Sequence, residues 1–289
     1  MGVTELAITA LRPRDLEWTA ETRDRRASRW RKILGDSPLA DWLAGFSPTH
    51  LYVGSELCEE LLPSRRTVRT AIDCATGRGL QIALLTPISS PGAIRQLADL
   101  LPLLPDGTEV IVNDWGVAYF AREHFPALVL VAGRLLCKMI RDPRLPGTEW
   151  APHCAHSLDS EHLQRTFRLA GFRRLEIDVP PFATAESFSR LPLPAGVHVP
   201  FAVVAKGRMC RIGSMSRQGP ERFAPGRRCR KECLHVSATM TRPAAVDSYR
   251  TVQLGNTIMS QHSRGMLDAV ATAVADGRIT RLIAPVEPL

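Results

Sequence analysis

Short apolar runs recur along the chain, each separated from the next by a segment with helical periodicity. The strand candidates are His50–Gly54, Leu80–Thr86, Glu109–Asn113, Leu128–Ala132, Arg174–Val179, Val199–Ala205, Thr251–Gly255 and Arg281–Ala284. EVIVN and ALVLVA are apolar over most of their length, the pattern of strands covered on both faces, as in a parallel sheet. Between them, PGAIRQLADLLPLL opens on a proline and sets Ile94, Leu97 and Leu101 on one face. LDSEHLQRTFRLAG groups Leu163, Phe167 and Ala170 and ends on Gly171, a natural helix stop, and RGMLDAVATAVADG repeats the design with Met266, Val270, Val274 and Gly277. About eight strands alternating with helices predict a single α/β domain of (β/α)8, TIM-barrel-like architecture over residues 37–289. Residues 1–36 precede the first of these strands and read as a basic, helical N-terminal extension.

Composition changes this picture little but bounds the function. No apolar run reaches the roughly 18 residues of a membrane span, and the N-terminus lacks the basic start and long apolar stretch of a secretory signal. A cytosolic, reducing location is therefore expected. There, seven cysteines read as core residues and metal ligands rather than a disulfide framework. The net charge of +8 is carried mostly by arginine, notably in RPRDLEWTAETRDRRASRWRK and GRRCRK. Clustered base can neutralise nucleic-acid phosphates. Here Asp15, Glu17, Glu21 and Asp24 interleave with the first cluster, which also suits a solvated, ion-paired face.

The cysteines carry the strongest chemistry. Cys210, Cys229 and Cys233 fall in one irregular stretch after the sixth strand candidate, and Cys58 follows the first, in LYVGSELC. Loops that follow barrel strands meet at one rim, so four thiolates from two loops could form a four-cysteine site for zinc or an iron–sulfur cluster. Arg227, Arg228, Arg230 and Lys231 would offset the thiolate charge. Cys74, Cys137 and Cys154 read as small buried hydrophobes. The HCAH run at 153–156 matches no standard metal spacing.

The segment EVIVNDWGVAYFAREHFPALVLVAGRLLCKMIRDPR resembles the signature of the U32 family, long labelled peptidases, in Asn113, Asp114, Gly116, Gly133, Arg134 and Asp142–Arg144. LYVGSELC, the later GRMC and CRKEC, and VQLGNTIMS resemble the strand-plus-cysteine, cysteine cluster and Leu-Gly-Asn segments of short U32 members acting in oxygen-independent ubiquinone biosynthesis. The likeness spans most of residues 47–285, with the motifs in order. It implies a 4Fe-4S cluster on Cys58, Cys210, Cys229 and Cys233, with zinc as the other candidate. It also implies hydroxylation of an aromatic ring without O2, with prephenate as the oxygen source and a U32 partner in a heterodimer. Other members of the group act on RNA bases, so RNA-base hydroxylation is an alternative, as is a non-catalytic, cluster-bearing partner subunit. For the peptidase alternative the chain holds neither G-x-S-x-G nor HExxH.

The catalytic candidates are Asn113, Asp114, Glu176 and Asp178. Asn113 and Asp114 end a strand at the expected rim, although Asp114 before Trp-Gly also reads as a helix N-cap. Glu176 and Asp178 alternate along a strand and so share a face. Charge on a buried strand face calls for a function or a partner, Arg173 or Arg174 being the nearest in sequence. Arg134 and Arg144 suit bidentate capture of a carboxylate substrate. Asn256 suits a substrate hydrogen bond or a turn.

Overall fold

A computed structural model of the chain describes residues 4–141, 148–154, 157–207, 209–223, 229–240 and 250–285. In chain order the elements are β1 (Glu5–Ala10), α1 (Arg23–Leu34), α2 (Ser37–Ala44), β2 (His50–Gly54), α3 (Arg65–Gly77), β3 (Gln81–Leu85), α4 (Pro91–Leu100), β4 (Glu109–Val112), α5 (Trp115–His124) and β5 (Val129–Ala132). There follow α6 (Ala151–Cys154), α7 (Glu161–Ala170), β6 (Arg174–Ile177), β7 (Ala195–His198), β8 (Phe201–Lys206), β9 (Ala238–Met240), β10 (Thr251–Leu254), β11 (Thr257–Gln261), α8 (Arg264–Ala275) and β12 (Arg281–Pro285).

Eight parallel strands close a barrel in the order β1-β12-β7-β6-β5-β4-β3-β2. The expected closed α/β barrel is therefore present, but two of its strands differ from those the apolar pattern marks. Val199–Ala205 and Thr251–Gly255 lie instead in a separate antiparallel sheet, β8-β11-β10-β9. Their barrel places are taken by β1 and β7. An apolar run buried on both faces looks the same in a barrel and in a sheet packed against one. The expected helical extension over residues 1–36 is corrected too: ELAITA is barrel strand β1, paired with β2 on one side and β12 on the other. Only the part after it is helical.

That helical part is held by its own charges. Thr22 caps α1 and Asp36 caps α2, each side chain accepting a backbone N–H. Arg29 Nη2 lies 2.9 Å from Glu21 Oε2, Arg12 Nη2 2.9 Å from Asp15 Oδ1, and Arg31 Nη2 2.6 Å from Asp41 Oδ1. Much of the basic run is thus spent on neighbouring carboxylates.

The core is one continuous layer between barrel and helices, including Leu51, Leu84, Val110, Val117, Leu175 and Val270. Within the barrel a second set, Ala7, Tyr52, Ala83, Leu85, Ile111, Val131 and Ile283, fills the lumen. No helix among the described residues is long and apolar enough to cross a membrane. The antiparallel sheet and its loops form an insertion between β7 and α8, which places it at the C-terminal end of the barrel strands.

Candidate functional site at the barrel rim

The four candidate cysteines arrive at that end. Cys58 follows β2, its N–H donating to Ser55 Oγ at 3.3 Å. Cys210 follows β8, while Cys229 and Cys233 precede β9. The Cys210 and Cys233 thiols bear on each other, and the charges of Cys58 and Cys229 bear on Cys233. Their interaction sets their acidities apart: it lowers Cys210 to about 6 and, with burial, raises Cys233. Burial, with its neighbours' sulfur charges, raises Cys58. All seven cysteines are free thiols.

Backbone N–H groups point at two of the sulfurs. Gly213 N donates to Cys210 Sγ at 3.2 Å and Lys231 N to Cys229 Sγ at 3.3 Å. Such donors stabilise a thiolate and tune any metal it holds. Gly255, at φ +57° in the β10–β11 turn, sits beneath the group: a Cβ there would lie 3.3 Å from Cys233 Cβ and 3.9 Å from Cys210 Sγ. Its lack of a side chain keeps room for the sulfurs. Lys206, at the end of β8, adds positive charge beside Cys58, and burial lowers its own pKa. Among the described residues no three His, Cys, Asp or Glu side chains close into a metal-holding group. The cysteines are neighbours, with their sulfurs not drawn onto one point. The donor set, its N–H partners and the space over Gly255 nonetheless fit a thiolate-ligated metal. Of the flanking cations, Arg230 and Lys231 are exposed, and Arg227 and Arg228 lie outside the described residues.

Below the cysteines, the top of the lumen holds a cavity of about 70 Å3. Its wall is mostly apolar, with Leu57, Leu85, Phe201, Leu254 and Met259 among the lining residues. Leu57 and Leu254, the chain neighbours of Cys58 and Gly255, line it, which brings the cavity near the cysteine group. The polar lining is Thr9, Ser55, Glu56, Arg134 and His198.

The remaining candidates resolve individually. Glu176 and Asp178 do share a face, which turns into the barrel, but neither pairs with Arg173 or Arg174. Glu176 Oε2 bonds to His198 Nε2 at 2.9 Å, and Asp178 Oδ1 to Arg134 Nη1 at 2.8 Å. Asp178 Oδ2 also accepts Val203 N–H, tying the barrel to the insertion. Arg134 donates from Nε and Nη2 to Glu56 at 2.9 and 2.5 Å and from Nη1 to Phe201 O at 2.9 Å. Four of its five donors are therefore engaged within the protein, so bidentate capture of a substrate carboxylate would have to displace a buried partner. Burial raises Glu56, but the Arg134 charge and hydrogen bonds outweigh it and hold the carboxyl below its ordinary range.

Asn113 spends both ends of its amide on structure: Nδ2 donates to Thr86 O and Oδ1 accepts Leu135 N–H, each at 3.0 Å. Gly133 makes this possible, since a Cβ there would fall 2.4 Å from Asn113 Oδ1. Asp114 is the N-cap of α5, accepting from Gly116 N at 2.8 Å and Val117 N at 3.1 Å. Asn256 is a turn residue whose Nδ2 donates to Gly207 O at 3.0 Å. Arg144 lies outside the described residues, as does the Asp142–Arg144 stretch of the U32-like signature.

Glu56, His198, Lys206 and His262 belong to this rim and escape a reading by motif. Glu56 had a signal, a carboxylate two residues before a post-strand cysteine. His198 and His262 had none, being single histidines in apolar runs. His262 is 3% exposed, neither ring nitrogen has a hydrogen-bond partner among the described residues, and burial together with Arg141 and Arg134 drives it well below the usual imidazole range.

No family model matches the chain, and no curated protein matches it. Among solved structures, the U32 peptidase Mk0906 aligns over 99% of this chain and 93% of its own, at 14% identity and a TM-score of 0.45. The dihydropteroate synthase FolP from Thermus thermophilus aligns over 98% and 88%, at 16% identity and a TM-score of 0.40. A glycoside hydrolase family 18 N-acetylglucosaminidase from Paenibacillus barengoltzii aligns over 97% and 94%, at 9% identity and a TM-score of 0.38. Likeness this distant says nothing about the reaction.

Proposed function

We propose that this chain is a cluster-bearing barrel protein in which Cys58, Cys210, Cys229 and Cys233 hold a 4Fe-4S centre. In this reading it serves as one component of an oxygen-independent hydroxylase for a small aromatic substrate. The observation that carries the reading is the approach of four free thiols from two loops to one another near a lumen cavity at the C-terminal end of the barrel strands. Such a centre would supply one-electron transfer next to the cavity. The protein's own contribution is to hold thiolates: N–H donors from Gly213 and Lys231, the Lys206 charge and the space above Gly255 all favour sulfur anions. The cavity, about 70 Å3, is half the roughly 150 Å3 that houses a benzene ring. That size favours a component over a self-sufficient enzyme, with a U32-type partner completing the substrate chamber and prephenate as its candidate oxygen donor.

Anaerobic purification tests the metal. The expected protein is brown, with iron and sulfide in matching amounts and a broad visible absorbance that bleaches in air. Cys229→Ser or Cys233→Ser should remove the colour and Cys74→Ser should not. Colourless protein with stoichiometric zinc would overturn the cluster and keep the four-thiolate site. Metal-free protein with all four cysteines reduced would overturn both.

A further inference from the structure

The lumen cavity carries a second chemistry that the cysteines do not explain. Of its titratable side chains, Glu56 and Arg134 neutralise each other, with both Glu56 oxygens taken by Arg134. His198 is different. It is 4% exposed, lines the cavity, and commits one ring nitrogen, Nε2, to Glu176. Glu176 is fully buried on β6, its other oxygen has no hydrogen-bond partner among the described residues, and it bonds the cavity-lining His198. With the carboxylate as acceptor, Nε2 carries the shared proton and Nδ1 carries the lone pair. Among the described residues Nδ1 has no hydrogen-bond partner. A buried carboxylate behind a cavity-facing imidazole is the arrangement that orients a general base and stabilises the imidazolium it becomes.

We propose that His198 is the acid–base residue of the lumen cavity, with Glu176 as its positioning residue, and that the cavity takes the hydroxyl-bearing edge of a small, otherwise apolar molecule. The proton of a weakly acidic ligand O–H passes to His198 Nδ1. The O–H electron pair stays on the ligand oxygen, and the resulting oxyanion faces an imidazolium backed by Glu176. No oxidant or second reactant takes part. Leu11, exposed at the cavity's outer edge, and half-buried Leu254 give the remainder of the ligand an apolar mouth to rest in. The groups bearing on His198 are Glu176 from β6, Glu56 after β2, Arg134 after β5 and His262 after β11. Arg134 is shared between two carboxylates, Glu56 and Asp178, and His262 is neutral, so Glu176 is the carboxylate left to His198. The inference rests on the cavity and the pair alone and stands whatever the cysteines hold.

p-Nitrophenol is the probe, because its anion is coloured and its neutral form is not. Difference spectra of the purified protein are recorded at a pH where the free probe is mostly protonated. Wild type should bind it with appearance of the nitrophenolate band. His198→Gln should bind it without the band, and Glu176→Gln should cut the ionised fraction about tenfold, the effect of losing an adjacent opposite charge. 4-Nitroanisole, which lacks the proton, should bind wild type and both variants alike, showing that each is folded with its cavity intact. Absence of binding to wild type, binding without the band, or a band that survives in His198→Gln would each overturn the proposal. Iron and sulfide content is measured on the same samples, so this failure and that of the cluster assignment are read separately.

Discussion

The two ends of the barrel are built from the same residue types and end up with opposite properties. At the N-terminal end, the first residues of β1, β2, β4, β6 and β12 are Glu5, His50, Glu109, Arg174 and Arg281. Arg281, 1% exposed, finds an acceptor for all five of its donors. Nε donates to Glu5 at 2.6 Å, Nη1 to Tyr52 Oη at 2.6 Å and to Glu109, and Nη2 to His50 Nε2 at 2.8 Å and Glu109 at 3.2 Å. At the C-terminal end, among the described residues, Arg134 keeps a donor to spare, Glu176 keeps an unpaired oxygen, His262 keeps two unpaired nitrogens, and the sulfurs stand near one another unclosed. A network whose groups are all satisfied has nothing left to offer a ligand; one with uncommitted polar atoms does. The first closes the barrel, and the second marks the end where chemistry is to be sought.

The largest test of that contrast is Arg281→Met. It strands two carboxylates and a tyrosine hydroxyl around a buried site, and should cost about 3–5 kcal/mol in urea unfolding, the range for breaking a buried ion pair. Metal content of the protein that remains folded should not change, because the cysteines lie at the other end. A variant that loses metal in proportion to stability would join the two ends into one unit.

A smaller effect separates the ends by pH. Burial and the Arg281 charge hold His50 down to about 4, against an unfolded value of roughly 6.5. Between those values the unfolded chain binds a proton that the native chain refuses, so His50 costs stability as pH falls from about 6.5 to about 4. Glu56 at the opposite end works lower: its folded pKa is depressed, so its contribution is present above the unfolded carboxylate value and lost as pH falls through the folded one. His50→Gln should therefore flatten the fall in urea midpoint between pH 6.5 and 4.5 by up to one proton's worth of slope. An unchanged slope would show that His50 is protonated in the native network.

The smallest effect concerns Asp114. As the cap of α5 it should cost about 1 kcal/mol when changed to Ala, and less when changed to Asn, which keeps an acceptor. Neither change should alter the metal content proposed for the cysteines or ionisation of the nitrophenol probe. A loss of either with unfolding unaffected would return Asp114 to the site chemistry.

The alternation of apolar runs with helical periodicity was enough to predict a closed α/β barrel. Such runs need cover on both faces, and short segments between parallel strands provide it. The helix stops at Gly171 and Gly277 and the cap at Asp114 were legible because caps and stops are local chemistry. The shared face of Glu176 and Asp178 followed from the period of a strand. Local pattern could not say that Glu5–Ala10 closes the barrel while Val199–Ala205 and Thr251–Gly255 leave it, since pairing partners are chosen by contacts made far along the chain. Nor could it give the carboxylates their partners. His198 lies 22 residues from Glu176, Glu56 lies 78 from Arg134, and Arg281 lies 276 from Glu5. A buried charge is stable only where folding brings its complement within hydrogen-bond reach, and that distance is set by the closed barrel and not by neighbours in sequence.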